Sequence, residues 1–255
     1  MEPAARRSKA TNGLPSLPPA LYEQRRIVAR IGELNARIEE ARRLRRTAIT
    51  EIQAMLLSAY RRTAEDARRM PMSKVAPLHR RSVMVEPHGS YPELGVRSFG
   101  RGTFHKPSLS GLEVGSKRLF RIETNDLLFN IVFAWEGAVA IARPEDHGRV
   151  GSHRFLTCVP EIGLATSEFL RFHFLTGEGL DQLGKASPGG AGRNRTLGQK
   201  ALKRIEVPVP PYEEQRRFTS LLDKVNALRS IQRSADMELD ALLPSVLHRA
   251  FKGEL

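Results

Sequence analysis

A segment near the start of this chain returns near its end. Leu17-Pro18-Pro19-Ala20-Leu21-Tyr22-Glu23-Gln24-Arg25-Arg26-Ile27 is answered by Val209-Pro210-Pro211-Tyr212-Glu213-Glu214-Gln215-Arg216-Arg217-Phe218. An offset of 191 residues carries Glu23 onto Glu214 and then holds without a gap. It places Asn35-Ala36 on Asn226-Ala227, Arg42 on Arg233, Leu56 on Leu247 and Ala59-Tyr60 on Ala250-Phe251. Only the diproline shifts, by one residue. An internal repeat constrains architecture before any local signal does. Here two related segments bracket an unrelated middle.

Pro15, Pro18 and Pro19 hold the chain extended ahead of the first copy. Helical signals follow at once. Ile27, Ile31, Leu34, Ile38, Ala41, Ala48, Ile52, Met55 and Ala59 alternate steps of four and three, with Arg45 in one slot of the seam. A helix of ~50 Å at ~1.5 Å per residue cannot bury such a stripe on itself. The second copy supplies a partner seam in Phe218, Leu222, Val225, Leu239, Leu243 and Val246, with Pro244 predicting a break or kink near Leu243. An antiparallel pairing requires residues ~70 to 207 to return the chain to the opposite end, a parallel pairing being the alternative.

The middle reads as mixed α/β. Leu127 to Phe133 and Ala138 to Ala142 are short apolar runs flanking Ala134-Trp135-Glu136-Gly137, a hairpin turn with a following glycine. Phe155 to Val159 is another strand, and Thr166-Ser167 caps a short helix through Leu175. The expected organisation is a basic tail at 1–14, a helical region at 15–69, a middle domain at 70–207 and a second helical region at 208–255. The fold class is α+β: one mixed α/β domain, with many loops on a compact sheet, bracketed by two long helices that pair as an antiparallel coiled coil.

Charge bears on the partner. Lys and Arg number 41 against 28 Asp and Glu, a net charge of +13 in 255 residues, which favours polyanions. Cys158 is the only cysteine, so a disulfide framework is excluded and a cytoplasmic location fits. No apolar run approaches the ~18 residues of a membrane span.

Catalytic patterns are sparse. The seven histidines form no i, i+4 pair, and there is no G-x-S-x-G elbow. Gly189-Gly190-Ala191-Gly192-Arg193 lacks the Gly-Lys-Ser/Thr of a phosphate loop. Val209 stands before Pro210-Pro211-Tyr212 where an amino-methyltransferase needs Asn or Asp, and Pro144-Glu145-Asp146-His147 has no downstream Lys of a nuclease site. No metal site and no bound cofactor is expected.

Binding features are denser. Arg97, Arg101, Lys106, Lys117, Arg118 and Arg121 are interleaved with Phe99, Phe104 and His105. Lys185, Arg193, Asn194, Arg195 and Lys200 form a second cluster around a glycine-rich loop. Guanidinium forks suit phosphates and the O6/N7 edge of guanine, and an Asn amide suits adenine. An adaptor whose charge is incidental is the competing reading.

The bracket and its middle together resemble the specificity subunits of type I restriction–modification systems. Those subunits alternate target-recognition domains with helical regions opened by a "P-L-P-P…E-Q-x-R-I-V" stretch, matched here by Leu17 to Val28 and by Glu206 to Phe218. The close Leu247-His248-Arg249-Ala250-Phe251-Lys252-Gly253-Glu254-Leu255 is similar to the family's own. Within the middle, Leu94-Gly95-Val96-Arg97, Gly100-Arg101-Gly102-Thr103-Phe104, Asp126-Leu127-Leu128 and Phe133-Ala134-Trp135-Glu136-Gly137-Ala138 look like motifs of one recognition domain. The resemblance implies a non-catalytic subunit that binds double-stranded DNA and docks methyltransferase subunits, with S-adenosylmethionine on those partners and a motor–nuclease subunit that cuts. Family members of full length carry two recognition domains and read a bipartite site. With one, this chain is expected to be a half-subunit that pairs with itself or a second specificity chain, or part of a longer subunit.

Overall fold

The computed structural model describes residues 21–189 and 195–251. The proline lead-in and basic tail, Arg193, Asn194 and the last four residues lie outside the described residues, as do the side chains of Leu239, Leu243 and residues 246–248. The described chain divides into two compact units, 51–226 and the remaining lengths of the two terminal helices.

Helix α1 spans Leu21–Ala64 and α7 spans Tyr212–Phe251. Between them run β1 (Arg68–Pro71), α2 (Met72–Val75), β2 (Ser82–Val83), β3 (Ser90–Val96), β4 (Thr103–Ser110), α3 (Gly111–Val114) and β5 (Leu119–Arg121). Then follow β6 (Leu127–Asn130), β7 (Val139–Ile141), β8 (Val150–Ser152), β9 (Phe155–Cys158), α4 (Ser167–Phe174), α5 (Gly177–Lys185), α6 (Gln199–Arg204) and β10 (Glu206–Val209). Three sheets replace the single compact sheet expected: an antiparallel ribbon β1-β10, five strands in the order β2-β5-β8-β3-β4, and three in the order β7-β6-β9.

Strand β6 shows why its sequence is apolar throughout. Leu127 and Phe129 face a core completed by Leu156, Leu170, Phe174 and Leu183. Leu128 faces the other way, onto Leu94, Val96 and Ile122. A strand buried on both faces reads as a continuous hydrophobic run rather than an alternation. The three-stranded sheet therefore lies between the helical layer and the five-stranded sheet.

The ribbon corrects one expectation. Arg68 pairs with Val209 and Pro71 with Glu206, so the chain returns beside the point where α1 ended, not to the opposite end. That same-end return gives two helices an antiparallel sense. Two ion pairs show it, Arg42–Asp240 and Arg45–Asp236, rising along α1 and falling along α7. The 191-residue repeat offset carries Arg45 onto Asp236, so this residue meets its own repeat equivalent. A local two-fold relation between the copies follows.

The seam of α1 holds up to Ile52 and then drifts. Ile38 is buried and Ile27, Ile31 and Leu34 are half-buried, but Met55 is exposed while Leu56 and Tyr60 are buried instead. A straight helix turns past a strict heptad, and here the last turns pack on the domain rather than on a helix alone. On α7, Phe218 and Val225 are buried and Leu222 is half-buried. Phe218 packs edge-to-face on Phe172 (centroids 4.9 Å apart) and Phe169 (5.8 Å) of α4, and lies 6.1 Å from Tyr60 of α1. Of the break or kink expected at Pro244, the break does not occur: α7 continues through it to Phe251. One missing N–H removes one rung, and the flanking turns carry the helix past it.

Candidate nucleic-acid interface

One arginine from each of the two basic clusters, Arg101 and Arg195, lies beside one turn. Hairpin β6–β7 closes through residues 134–136, and Gly137 takes a left-handed φ of +75° that lets its amide donate to the Ala134 carbonyl at 2.8 Å. The tip of hairpin β3–β4 is fastened across this turn. The Phe99 amide donates to the Glu136 carbonyl at 2.8 Å and the Gly100 amide to the Gly137 carbonyl at 2.9 Å. Ser98 donates through its hydroxyl to the Glu136 carboxylate at 3.1 Å. From below, the Arg171 guanidinium donates to the Gly100 carbonyl at 2.6 Å, and its burial lowers its pKa.

The base of the tip is held as firmly. Asp146 is fully buried and accepts from the Thr103 hydroxyl (2.7 Å) and the Arg143 amide (2.9 Å), with the His105 ring 2.8 Å away. Burial opposes its charge, yet the bonds from Arg143, Thr103 and His105 win and hold its carboxyl below the usual range. Arg97 donates to the Thr103 carbonyl at 2.7 Å while its guanidinium lies 4.6 Å over the Phe104 ring. Phe104 in turn covers Gly95, where any Cβ would collide with the ring.

Arg195 reaches the same turn. Arg195 sits 5.1 Å over Trp135 and donates to the carbonyls of Gly184 (3.0 Å) and Ser187 (3.4 Å). Arg195 is therefore a strut between the end of α5 and the Trp135 turn; Arg193 and Asn194 lie outside the described residues. Arg101 is exposed beside Phe99, 5.6 Å from its ring.

The other candidates lie apart from this turn. Lys106 on β4 pairs with Glu93 at 3.5 Å, and Lys185 with Asp181 at 2.6 Å. Lys200 is exposed on α6. Arg118 and Arg121 are exposed on and before β5. They border a residue the sequence did not single out, Arg80. Its guanidinium lies 4.2 Å over Phe120, and a buried Nη1 finds no hydrogen-bond partner among the described residues. Burial first and Arg118 second lower its pKa. Neighbouring guanidiniums without a counter-anion suit a phosphate oxygen.

Two structural residues also escaped notice. Gln215, fully buried, donates to the carbonyls of Leu164 and Pro210 (both 2.9 Å) and accepts from the Thr166 amide (3.0 Å). It fastens the start of α7 to the loop before α4, a physical reason for the Gln of the second copy. His173, fully buried, lies between the Tyr60 hydroxyl (2.6 Å) and the Gln182 carbonyl oxygen (2.8 Å).

No protein-family model matches the sequence, and no curated protein does. Solved structures do match. The HsdS subunit from Thermoanaerobacter tengcongensis aligns over 93% of this chain at 22% identity and a TM-score of 0.56. A structure bearing on complex assembly and conformational transition of the type I restriction–modification system aligns over 93% at 22% identity and a TM-score of 0.61. The chain has the fold of a type I restriction–modification specificity subunit. It spans about 60% of the length of those chains. The specificity-subunit fold accounts for the layout of a mixed domain with a long helix at each end. Among the described residues, no helix is long and apolar enough to cross a membrane.

Proposed function

We propose that this chain is a DNA sequence-specificity subunit of a type I restriction–modification complex, acting in the cytoplasm. Its middle domain binds one half of a bipartite duplex site. Its terminal helices pair as an antiparallel coiled coil on which methyltransferase subunits, and a restriction subunit where one is present, are assembled. The chain itself carries no catalysis; S-adenosylmethionine is bound by the methyltransferase partner.

The observation that carries this reading is the convergence at the 133–137 turn. Backbone hydrogen bonds fasten the Phe99 tip to this turn, with Arg101 beside the Phe99 ring and Arg195 over Trp135, on a domain of the specificity-subunit fold. A rigid platform of arginines and aromatics, each already oriented, is what base-edge and phosphate contacts need. Exposed Leu44, Leu228, Ile231 and Met237 on the helices support the docking of partner subunits. Exposed Leu21, Tyr22 and Val28 on the first copy support a self-dimer or a second specificity chain, whose recognition domain would cover them.

Selection from a randomised duplex pool tests the reading, with the chain alone and with its methyltransferase partner. Enrichment of one half-site is expected, and a pool left unenriched in both arms sinks it. Methylome sequencing after deletion separates the assemblies. A bipartite adenine motif that vanishes points to a second specificity chain, and an inverted repeat to a self-dimer.

A further inference from the structure

Phe99 is the least comfortable residue of the described chain. It and Asn125 are the two non-glycine residues there with positive φ, +60° for Phe99 and +70° for Asn125. Asn tolerates that region; a bulky aromatic does not. The ring gains no burial in exchange, since 70% of the residue's surface is exposed. The next residue, Gly100, has a φ of +63°, so the turn already employs glycine where the backbone demands it. Glycine at 99 would relieve the strain and remove an apolar ring from water.

The surroundings nevertheless keep Phe99 in place. Its amide is bound to the Glu136 carbonyl, Ser98 before it to the Glu136 carboxylate, and Gly100 after it to both Gly137 and Arg171. A Cβ on Gly100 would strike Leu175, and one on Gly137 would meet Leu175, Leu180 and the Phe99 Cα, so the tip backbone lies flush on the layer below. The result is a rigid post with an aromatic ring at its end and the Arg101 guanidinium at its flank. Strain retained without structural return, on an over-determined support, marks a working part.

We propose that Phe99 is a wedge: it enters the duplex at the recognised half-site and stacks on an opened base step, while Arg101 beside it meets the adjoining phosphate. The proposal rests on the DNA-binding reading above. An apolar or aromatic side chain inserted between base pairs exchanges base–base stacking for base–ring stacking and bends the duplex. A flexible tip would lose that exchange to ordering entropy, which is why the post must be fixed before binding.

The test compares wild type with F99G and F99W in the full chain, alone and with the methyltransferase partner. The probe is the duplex enriched from the random pool, carrying 2-aminopurine at successive positions. F99G should unfold at the same temperature as wild type or a higher one, yet bind about five- to a hundredfold more weakly, the range of one base–aromatic stack. The 2-aminopurine emission that wild type and F99W raise at one step should stay quenched. Equal affinity of F99G and wild type overturns the proposal, as does a loss of affinity only in step with a loss of stability. If wild type binds no duplex, the DNA reading itself falls and the wedge with it.

Discussion

At the scale of single residues, the domain is held by a few buried polar groups whose states are set by their surroundings. His173 is the clearest case. Burial, its largest influence, outweighs the opposing pull of Gln182 and Glu178 and lowers its pKa, keeping the ring neutral. A neutral ring takes the Tyr60 proton at Nδ1 and gives its own at Nε2 to Gln182, satisfying both nitrogens. The unfolded chain binds a proton at His173 below about pH 6.5, whereas the folded chain does not. Stability is therefore full above that value and is lost as pH falls toward the lower folded pKa. Urea midpoints measured from neutral to mildly acidic pH should decline through this window, and H173Q should flatten the decline. A slope unchanged in H173Q would show that His173 is not its source. Asp146 works in the same direction lower down, because its depressed carboxyl withdraws its support only as pH falls below about 4. Cys158, by contrast, is pushed up to about 12 by burial and stays an inert thiol.

At the scale of elements, what the sequence disclosed depended on how local the cause was. The 134–137 turn and the Thr166 cap of α4 were legible because a glycine with positive φ and a threonine hydroxyl act within a few residues. Helix α5 was not, because Gly177 and Gly179 stand within its first turn and read as the end of the preceding helix. Yet Thr176 caps it, and Gly179 is required where a Cβ would collide with the His173 carbonyl. The β1–β10 ribbon joins strands far apart in sequence and left no local mark. In the candidate site the arginines could be named, but not the strain at Phe99 or the strut role of Arg195, since both depend on which loops meet. The helices divide likewise into a strong end and a weak one. Phe218 is buried among three aromatic rings, so F218A should cost about 3–5 kcal/mol in denaturant unfolding. Arg45–Asp236 is solvent-accessible on both sides and should contribute no more than about 1 kcal/mol, which R45D with D236R should restore. If R45D cost as much as F218A, the ion pair and not the aromatic cluster would fasten the repeat.

At the scale of the whole molecule, a net charge of +13 does not say where an anion would feel it. Much of the positive charge is already engaged. Arg30, Arg37, Arg42, Arg43 and Arg45 of α1 all have carboxylate partners within 3.0 Å. Among the described residues, exposed Arg101 forms no ion pair, and neither does Arg80, which stacks over Phe120 beside Arg118. Counterion release turns that contrast into a measurement. Each phosphate neutralised on B-DNA adds about −0.9 to the slope of log K against log salt. R101A should make the slope shallower by about one and weaken all sequences evenly, as loss of a phosphate contact does. R80A should act likewise at its own patch. R42A removes the same formal charge from a helix surface and should leave the slope where it was. Titration of one duplex across a salt series, for wild type and the three variants, distinguishes a located interface from diffuse charge. If R42A and R101A shifted the slope equally, the charge would act only in bulk, and the chain would be read as an adaptor whose positive surface is incidental.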